Sequence, residues 1–349
     1  MSMPRASGYF RTRYAQDTAL LETRTQKAAA LAFAAALAAY PFVAGPLALD
    51  LANQVLLGSI GAVALMLLTG YAGQISLGHA GLLAAGAFTG GVLFKELGAP
   101  FWVTLPAAAL VGAGLGVAFG LPSLRLRGLY LAVSTLALHF IVIHAGAEYE
   151  TRRGFSTGIV IDPPRIGEWV LRDARAWYFV LLAFAVANLL FSLNLLRART
   201  GRAWRAVRGR EAVAEALGIS VRRAKLAAFV VSSAITAVAG CLFAYYRGFV
   251  SAEAFSLYLT IQYVAMIIIG GMGSLMGSYF GAAFIVMLPI LLNRIPALLG
   301  VPISTATASH LEFMIFGVLI VLFLILEPHG LARLWSIGKE KLRLWPFPH

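Results

Sequence analysis

Long apolar runs separated by short charged segments are the feature that most constrains this chain. An apolar run of about twenty residues is the length that a helix needs to cross the hydrocarbon core of a bilayer. Ten runs with almost no charged side chains occupy residues 28–47, 51–69, 76–94, 101–120, 129–146, 176–196, 226–247, 255–272, 277–292 and 310–327. With 60% apolar and only 12% charged residues overall, the sequence predicts an all-α polytopic membrane protein with about ten transmembrane helices.

The basic residues predict the orientation of these helices. A net charge of +13 would suggest nucleic-acid binding in a soluble protein, but 20 of the 28 Lys and Arg residues lie in the segments 1–27, 121–128, 197–225 and 328–349. Cytoplasmic loops carry such an excess, so we expect both termini in the cytoplasm, a lipid bilayer around the chain and no nucleic-acid partner. Residues 1–27 and 328–349 are then cytoplasmic tails of a transmembrane domain at 28–327, and residues 147–175 form an outer loop.

The N-terminal segment has a second interpretation. A basic stretch followed by an alanine-rich apolar run is also typical of a cleaved signal peptide. The acidic residues Asp17 and Glu22 within the basic leader favour a cytoplasmic tail before a membrane anchor.

Glycine-dense segments indicate where helices are interrupted. The runs 76–94 and 277–292 are rich enough in glycine to be broken or re-entrant where other protein segments cover the backbone. Unwound backbone at membrane depth can line a translocation pathway, whereas small residues can equally allow close helix packing. Both interpretations stay open for Gly70, Gly73, Gln74, Ser76, Gly78 and His79, and packing is favoured for Gly270, Gly271 and Gly273. Gln262 could contact a polar solute or bridge two helices.

Several kinds of chemistry are absent from the sequence. It contains no GxxxxGK[ST] motif, so the chain cannot build the usual phosphate-binding loop of an ATPase. The single cysteine, Cys241, provides neither a disulfide nor a cysteine-based metal site. The carboxylates Asp50, Glu253, Glu312 and Glu327 lie near the ends of the runs, which disfavours a proton-coupled carrier. We therefore expect no catalytic residue, no metal and no cofactor.

The segment 197–225 is the strongest candidate for a functional loop. Within it Ala212, Val213, Ala216 and Leu217 recur at i, i+1, i+4 and i+5, which predicts one apolar face of a short helix. Gly218 is suited to ending that helix. The segment is either a solvated basic loop or a protrusion that docks into an ATPase.

Four ordered motifs connect the chain to a known family. They are GYAGQISLGHAGLLAAGAF from Gly70, LRLRGLYLAVSTLAL from Leu124, EAVAEALGISVRRAKLAAFVVSSAITAVAGCLFA from Glu211 and YVAMIIIGGMGSLMGSYFGAAF from Tyr263. In this order they resemble LivM-type permease subunits of the branched-chain amino-acid ABC importer family. The resemblance extends over roughly residues 50–327.

The resemblance implies a complete transport system in a bacterial inner membrane. Its other parts would be a second, homologous permease, two cytoplasmic ATPase subunits and a periplasmic binding protein that delivers branched-chain or related amino acids. It also implies an ATPase-coupling role for Arg210, Glu211, Ala212, Glu215, Ala216 and Gly218. Glu211 lies seven residues before Gly218, one more than in the wider importer pattern. Similar permeases serve urea, amides and aromatic acids, and an autonomous channel or secondary carrier is a less favoured alternative.

Overall fold

The computed structural model of the protein describes residues 24–124, 126, 128–155, 158–166, 169–298, 305–326 and 330–344. Its helices are α1 (Arg24–Val43), α2 (Pro46–Leu65), α3 (His79–Leu97), α4 (Phe101–Ser123), α5 (Leu129–Arg153), α6 (Ala174–Arg197), α7 (Arg199–Gly209), α8 (Glu211–Ala216), α9 (Val221–Arg247), α10 (Leu257–Gly270), α11 (Leu275–Leu298), α12 (Thr305–Leu326) and α13 (Gly330–Leu344). A π-helical turn, Met66–Tyr71, continues α2, and a 3-10 turn, Ala252–Phe255, precedes α10.

The chain forms two compact units, Met1–Leu49 and Asp50–His349. In the first unit, the Tyr40 hydroxyl donates a hydrogen bond to the Ala48 carbonyl oxygen at 3.2 Å. The candidate sites described below belong to the second unit.

The helices have the length and composition expected of a membrane protein. Within the described residues, seven are long and apolar enough to cross a bilayer: Pro46–Tyr71, His79–Leu97, Phe101–Pro122, Tyr130–Arg153, Ala174–Arg197, Val221–Arg247 and Leu275–Leu292. Three shorter apolar helices, Lys27–Val43, Leu257–Gly270 and Met314–Phe323, overlap the remaining predicted runs. The predicted all-α polytopic fold is confirmed, whereas the count of ten spans and the cytoplasmic termini stay predictions.

Short strands order the segment after α5. Strand β1 (Ile159–Val160) pairs antiparallel with β4 (Phe249–Val250), and β2 (Arg165–Ile166) pairs antiparallel with β3 (Trp169–Val170). The segment 147–175, predicted as a loop, begins as helix, because α5 continues to Arg153. The Arg153 guanidinium forms an ion pair at 2.8 Å with Glu96 near the end of α3. The C-terminal segment predicted as a tail likewise contains a helix, α13.

One helix break overlaps the start of the glycine-rich run 76–94, and the other lies just ahead of the run 277–292. Helices α3 and α11 are continuous, and the non-helical backbone occupies residues 72–78 and 271–274. The reason is local: Gly73, Gly271 and Gly273 have φ values of +70°, +110° and +98°, a region that L side chains rarely adopt. These residues stop the helices, whereas the glycines inside α3 allow close packing.

Helix α9 makes backbone contact with α3 and α4. A Cβ atom at Gly86 would overlap the Ala237 carbonyl oxygen, and one at Gly240 would overlap the Leu83 carbonyl oxygen. Such approaches are the usual basis of helix association in lipid, where burial of apolar surface gives little driving force. Nearly every residue of α3 between His79 and Gly91 is buried as a result.

We expect Gly112→Ala to destabilise the protein and Gly114→Ala, on the same helix, to be tolerated. A Cβ atom at Gly112 would lie 2.5 Å from the Ser233 carbonyl oxygen, so α4 and α9 would have to separate. Overpacking of this kind typically costs about 1–3 kcal/mol. No atom of the described residues lies within 4 Å of the corresponding position at Gly114, and alanine favours helix there. Thermal unfolding of the purified protein should show a Tm several degrees lower only for Gly112→Ala; equal losses would contradict the packing account.

Candidate coupling site

Helix α7 is anchored by one buried face, which the sequence interpretation missed. Gly201, Trp204 and Val207 recur every three residues and are buried, while the arginines between them are exposed or half-buried. The Trp204 side chain is fully buried, and its indole Nε1 donates a hydrogen bond at 2.9 Å to the Ala224 carbonyl oxygen at the start of α9. The i, i+3, i+6 spacing of these residues was the available signal, hidden in a segment with many arginines.

Helix α8 has the local structure predicted for it. Its last turn is closed by Gly218 N–H, which donates to the Glu215 carbonyl oxygen at 2.9 Å, and by Ile219 N–H, which donates to Ala214 at 3.0 Å. Gly218 has a φ of +79°, as expected of a helix-ending glycine. The ATPase-coupling role implied for Arg210, Glu211, Ala212, Glu215, Ala216 and Gly218 stays a prediction.

Most of the apolar face of α8 is exposed in the described part of the chain. Ala214 is buried, but Val213 and Leu217 are 51% and 73% exposed, and Ala212 and Ala216 are exposed as well. Between α7 and α8 lies an open cleft of about 520 Å³, lined by Arg205, Ala206, Gly209, Arg210, Val213, Ala214 and Leu217. This part of the molecule offers a small apolar surface bordered by arginines.

An ion pair attaches α8 to α9. The Lys225 ammonium lies 2.6 Å from a carboxylate oxygen of Glu211, and the lysine side chain is 10% exposed. The Lys225 carbonyl oxygen accepts a hydrogen bond at 3.3 Å from the Gln74 amide. Gln74 is one of the residues in the break between α2 and α3, so the same lysine connects α8 to that break.

Arg208 connects α7 to both helix breaks. Its guanidinium donates a hydrogen bond to the Gly70 carbonyl oxygen. Its aliphatic stem crosses Gly73 so closely that a Cβ atom there would lie 3.1 Å from Arg208 Cγ. The same guanidinium is 3.4 Å from the corresponding position at Gly273. No sequence signal separates Arg208 from the other arginines of the segment.

The π-helical turn before the first break also contacts the second break. The Gly273 N–H donates to the Met66 sulfur at 3.2 Å, so the π-helical turn touches the loop between α10 and α11. Gly78 lies against the Thr135 backbone, and Gly270 lies against Gly277, in contacts too close for a Cβ atom.

The remaining candidate residues divide into buried and half-buried groups. Gln74, Ser76 and His79 are buried, and the His79 ring is 4.7 Å from the Tyr263 ring. Gln262 is half-buried and makes no hydrogen bond with any described residue. The glycine contacts fit the packing interpretation, and a pathway role for this set stays a prediction.

The fold defines a multi-pass membrane protein, and the sequence comparisons give its family. Residues 47–324 match the family described as "Branched-chain amino acid transport system / permease component", to which this chain belongs. The resemblance predicted from the four motifs is therefore confirmed.

Curated relatives carry consistent descriptions. The chain is 32% identical over 317 residues to the "High-affinity branched-chain amino acid transport system permease protein LivM" of Escherichia coli (strain K12), which covers 84% of this chain and 72% of that protein. It is 31% identical over 231 residues to a probable LivM protein of Methanocaldococcus jannaschii, covering 64% and 66% of the two chains. It is 28% identical over 207 residues to the "Autoinducer 2 import system permease protein LsrC" of Enterobacter sp. (strain 638), covering 56% and 57%. No solved structure matches the chain.

Proposed function

We propose that this chain is the membrane permease subunit of an ATP-driven importer of branched-chain or related amino acids in a bacterial inner membrane. In this assignment it acts with a homologous permease, two cytoplasmic ATPase subunits and a periplasmic binding protein, and it hydrolyses no ATP itself. Its family and the names of its LivM relatives support the assignment. The LsrC relative indicates that related permeases serve other solutes, so urea, amides and aromatic acids remain alternative substrates.

The exposed apolar face of α8 is the observation that carries this proposal. Val213 and Leu217 are exposed on a helix that lies between the ends of α6 and α9, outside the membrane spans. Apolar surface in water that is bordered by charged residues is typical of a protein contact. The buried Trp204 holds α7 against α9, and the Glu211–Lys225 ion pair holds α8 against α9, so an ATPase docked on α8 would act on a rigid attachment.

The contacts of α7 and α8 supply a physical route from the ATPase to the membrane helices. Displacement of α8 would act on α9 through Lys225, and displacement of α7 would act on α9 through Ala224. It would act on the two helix breaks through Arg208, which contacts Gly70, Gly73 and the region of Gly273. Coupling between the ATPase docking face and the membrane helices needs an element with two arrangements whose equilibrium both can shift. The two non-helical segments are suited to that role.

We predict that the double change Ala212→Asp and Ala216→Asp prevents ATPase docking. Both residues are exposed on one face of α8, and an interface there would bury the new carboxylates without partners, at a typical cost of several kcal/mol. ATPase retention on purified membrane complexes and substrate uptake should both fall by about tenfold or more. Ser220→Asp, an exposed position beside α8, is the matched control and should leave both near wild type. Normal retention and uptake in the double variant at normal membrane levels would overturn the docking assignment.

We predict that Arg208→Ala separates ATP hydrolysis from transport. The apolar face of α8 is unchanged, so the ATPase should still bind and hydrolyse ATP, while uptake per ATP hydrolysed should fall by about tenfold. Arg208→Lys should recover part of the uptake, because an ammonium group can still donate to the Gly70 carbonyl oxygen.

Arg202→Ala is the control for charge and helix position. Arg202 is exposed on the same helix, and its guanidinium donates to the Arg197 carbonyl oxygen and to neither break. Its uptake per ATP should match wild type. If Arg208→Ala and Arg202→Ala transported equally well, the proposed route through Arg208 would be wrong.

A further inference from the structure

A second site lies at the opposite ends of the helices that hold α7 and α8. Helix α6 ends at Arg197, next to α7, and begins at Ala174; helix α9 begins at Val221, after α8, and ends at Arg247. At the far ends of both helices is a cavity of about 330 Å³ whose lining is divided between polar and apolar residues. We call it the outer cavity; its chemically informative residues are Asp50, Leu171, Arg172, Trp177, Tyr246 and Arg247.

The carboxylate of Asp50 is held in place at this cavity. The Gln54 amide donates to one of its oxygens at 2.7 Å, and the Tyr246 hydroxyl donates to the other. A carboxylate offers about four acceptor positions, so two bonds leave capacity for a further donor. Asp50 is half-buried, which makes it an oriented acceptor and not a freely rotating surface group.

Two guanidinium groups line the same cavity. Arg172 and Arg247 are both exposed, and among the described residues no carboxylate lies within ion-pair distance of either. Arg247 is placed by its position at the end of α9 and by the Phe243 ring, whose centroid is 5.7 Å from the guanidinium carbon. Arginine is the side chain that binds a carboxylate most directionally, through two parallel hydrogen bonds.

An apolar wall stands beside these charges. The Trp177 indole donates to the Leu171 backbone carbonyl oxygen at 3.0 Å, which ties the Trp177 side chain to the segment before α6. The Tyr246 ring packs edge-on to the Trp177 ring at 5.8 Å, and its hydroxyl reaches Asp50. The acceptor, the donors and the apolar surface therefore share one cavity.

We propose that the outer cavity binds an α-amino acid in its zwitterionic form. Asp50 accepts hydrogen bonds from the ammonium group, Arg172 and Arg247 donate to the carboxylate, and an aliphatic side chain packs against Leu171 and Trp177. The volume is at the lower end of the range of small-molecule sites, as expected for a ligand of this size. The inference rests on the proposed function, because only with α8 on the ATPase side does the outer cavity face the side that delivers substrate.

The test uses the assembled membrane complex in nanodiscs without the binding protein, with radiolabelled L-leucine as the probe. Competitors are leucinamide, which lacks the carboxylate, and 4-methylpentanoate, which lacks the ammonium group. Wild type should prefer leucine to each competitor by about tenfold or more, since each charged group loses its partner in one of them. Asp50→Asn should abolish only the preference over 4-methylpentanoate, and Arg172→Gln with Arg247→Gln only the preference over leucinamide.

The matched control is the double variant Arg165→Gln with Arg175→Gln, which removes two exposed arginines of the same segment that do not line the cavity. It should keep both preferences. General damage to the complex would weaken the binding of leucine and of both competitors together. Opposite losses of preference in the Asp50 variant and in the double arginine variant therefore identify the charged groups that bind the amino acid.

Absence of saturable leucine binding in wild type, or the same preferences in all variants, would overturn the outer cavity as an amino-acid site. ATP-dependent leucine uptake by the wild-type complex with its binding protein tests the proposed function separately. Uptake without binding at the cavity would remove this inference alone, whereas absence of uptake would remove the proposed function.

Discussion

Backbone contact along helix α9 is the constraint on which the rest of the structure depends. Its residues Ala237 and Gly240 lie so close to the backbone of α3 that neither Gly86 of α3 nor Gly240 itself could carry a methyl group. Burial of apolar surface adds little to the stability of helix association in lipid, so this close backbone packing has to supply much of it. One end of α9 holds α7 and α8 through Ala224 and Lys225, and the other end supplies Tyr246 and Arg247 to the outer cavity. A single closely packed helix thus connects the two candidate sites.

The second requirement is that some of the structure can change. The π-helical turn Met66–Tyr71, which leads into the non-helical segment 72–78, meets the segment 271–274 through Met66 and Gly273. Arg208 bonds to that turn and approaches Gly273. Non-helical backbone at membrane depth is stable only where protein covers it or a cavity satisfies it. Here Arg208, a residue of α7, donates a hydrogen bond to the Gly70 carbonyl oxygen. The stability of the backbone around Gly70 therefore depends on the position of α7.

Local properties could be predicted from the sequence, and long-range contacts could not. The apolar runs predicted the membrane helices because their length and hydropathy are intrinsic to each segment. The short helix α8 and its end at Gly218 were predictable for the same reason. Helix α7 was missed because the burial of Trp204 depends on Ala224, twenty residues along the chain. Arg208 and Arg172 acquire their surroundings only from the tertiary fold, so neither differed in the sequence from the other arginines.

The central claim is that Arg208 transmits displacement of α8 to the break before α11. Spin labels at Ser220→Cys, an exposed position beside α8, and at Met276→Cys, an exposed position in the first turn of α11, would report the distance between them in a Cys241→Ala background of the assembled complex. The account predicts one narrow distance distribution that is the same with and without ATP, and a broadened one when Arg208→Ala is added. A distribution that shifts on ATP binding with Arg208 intact would contradict it.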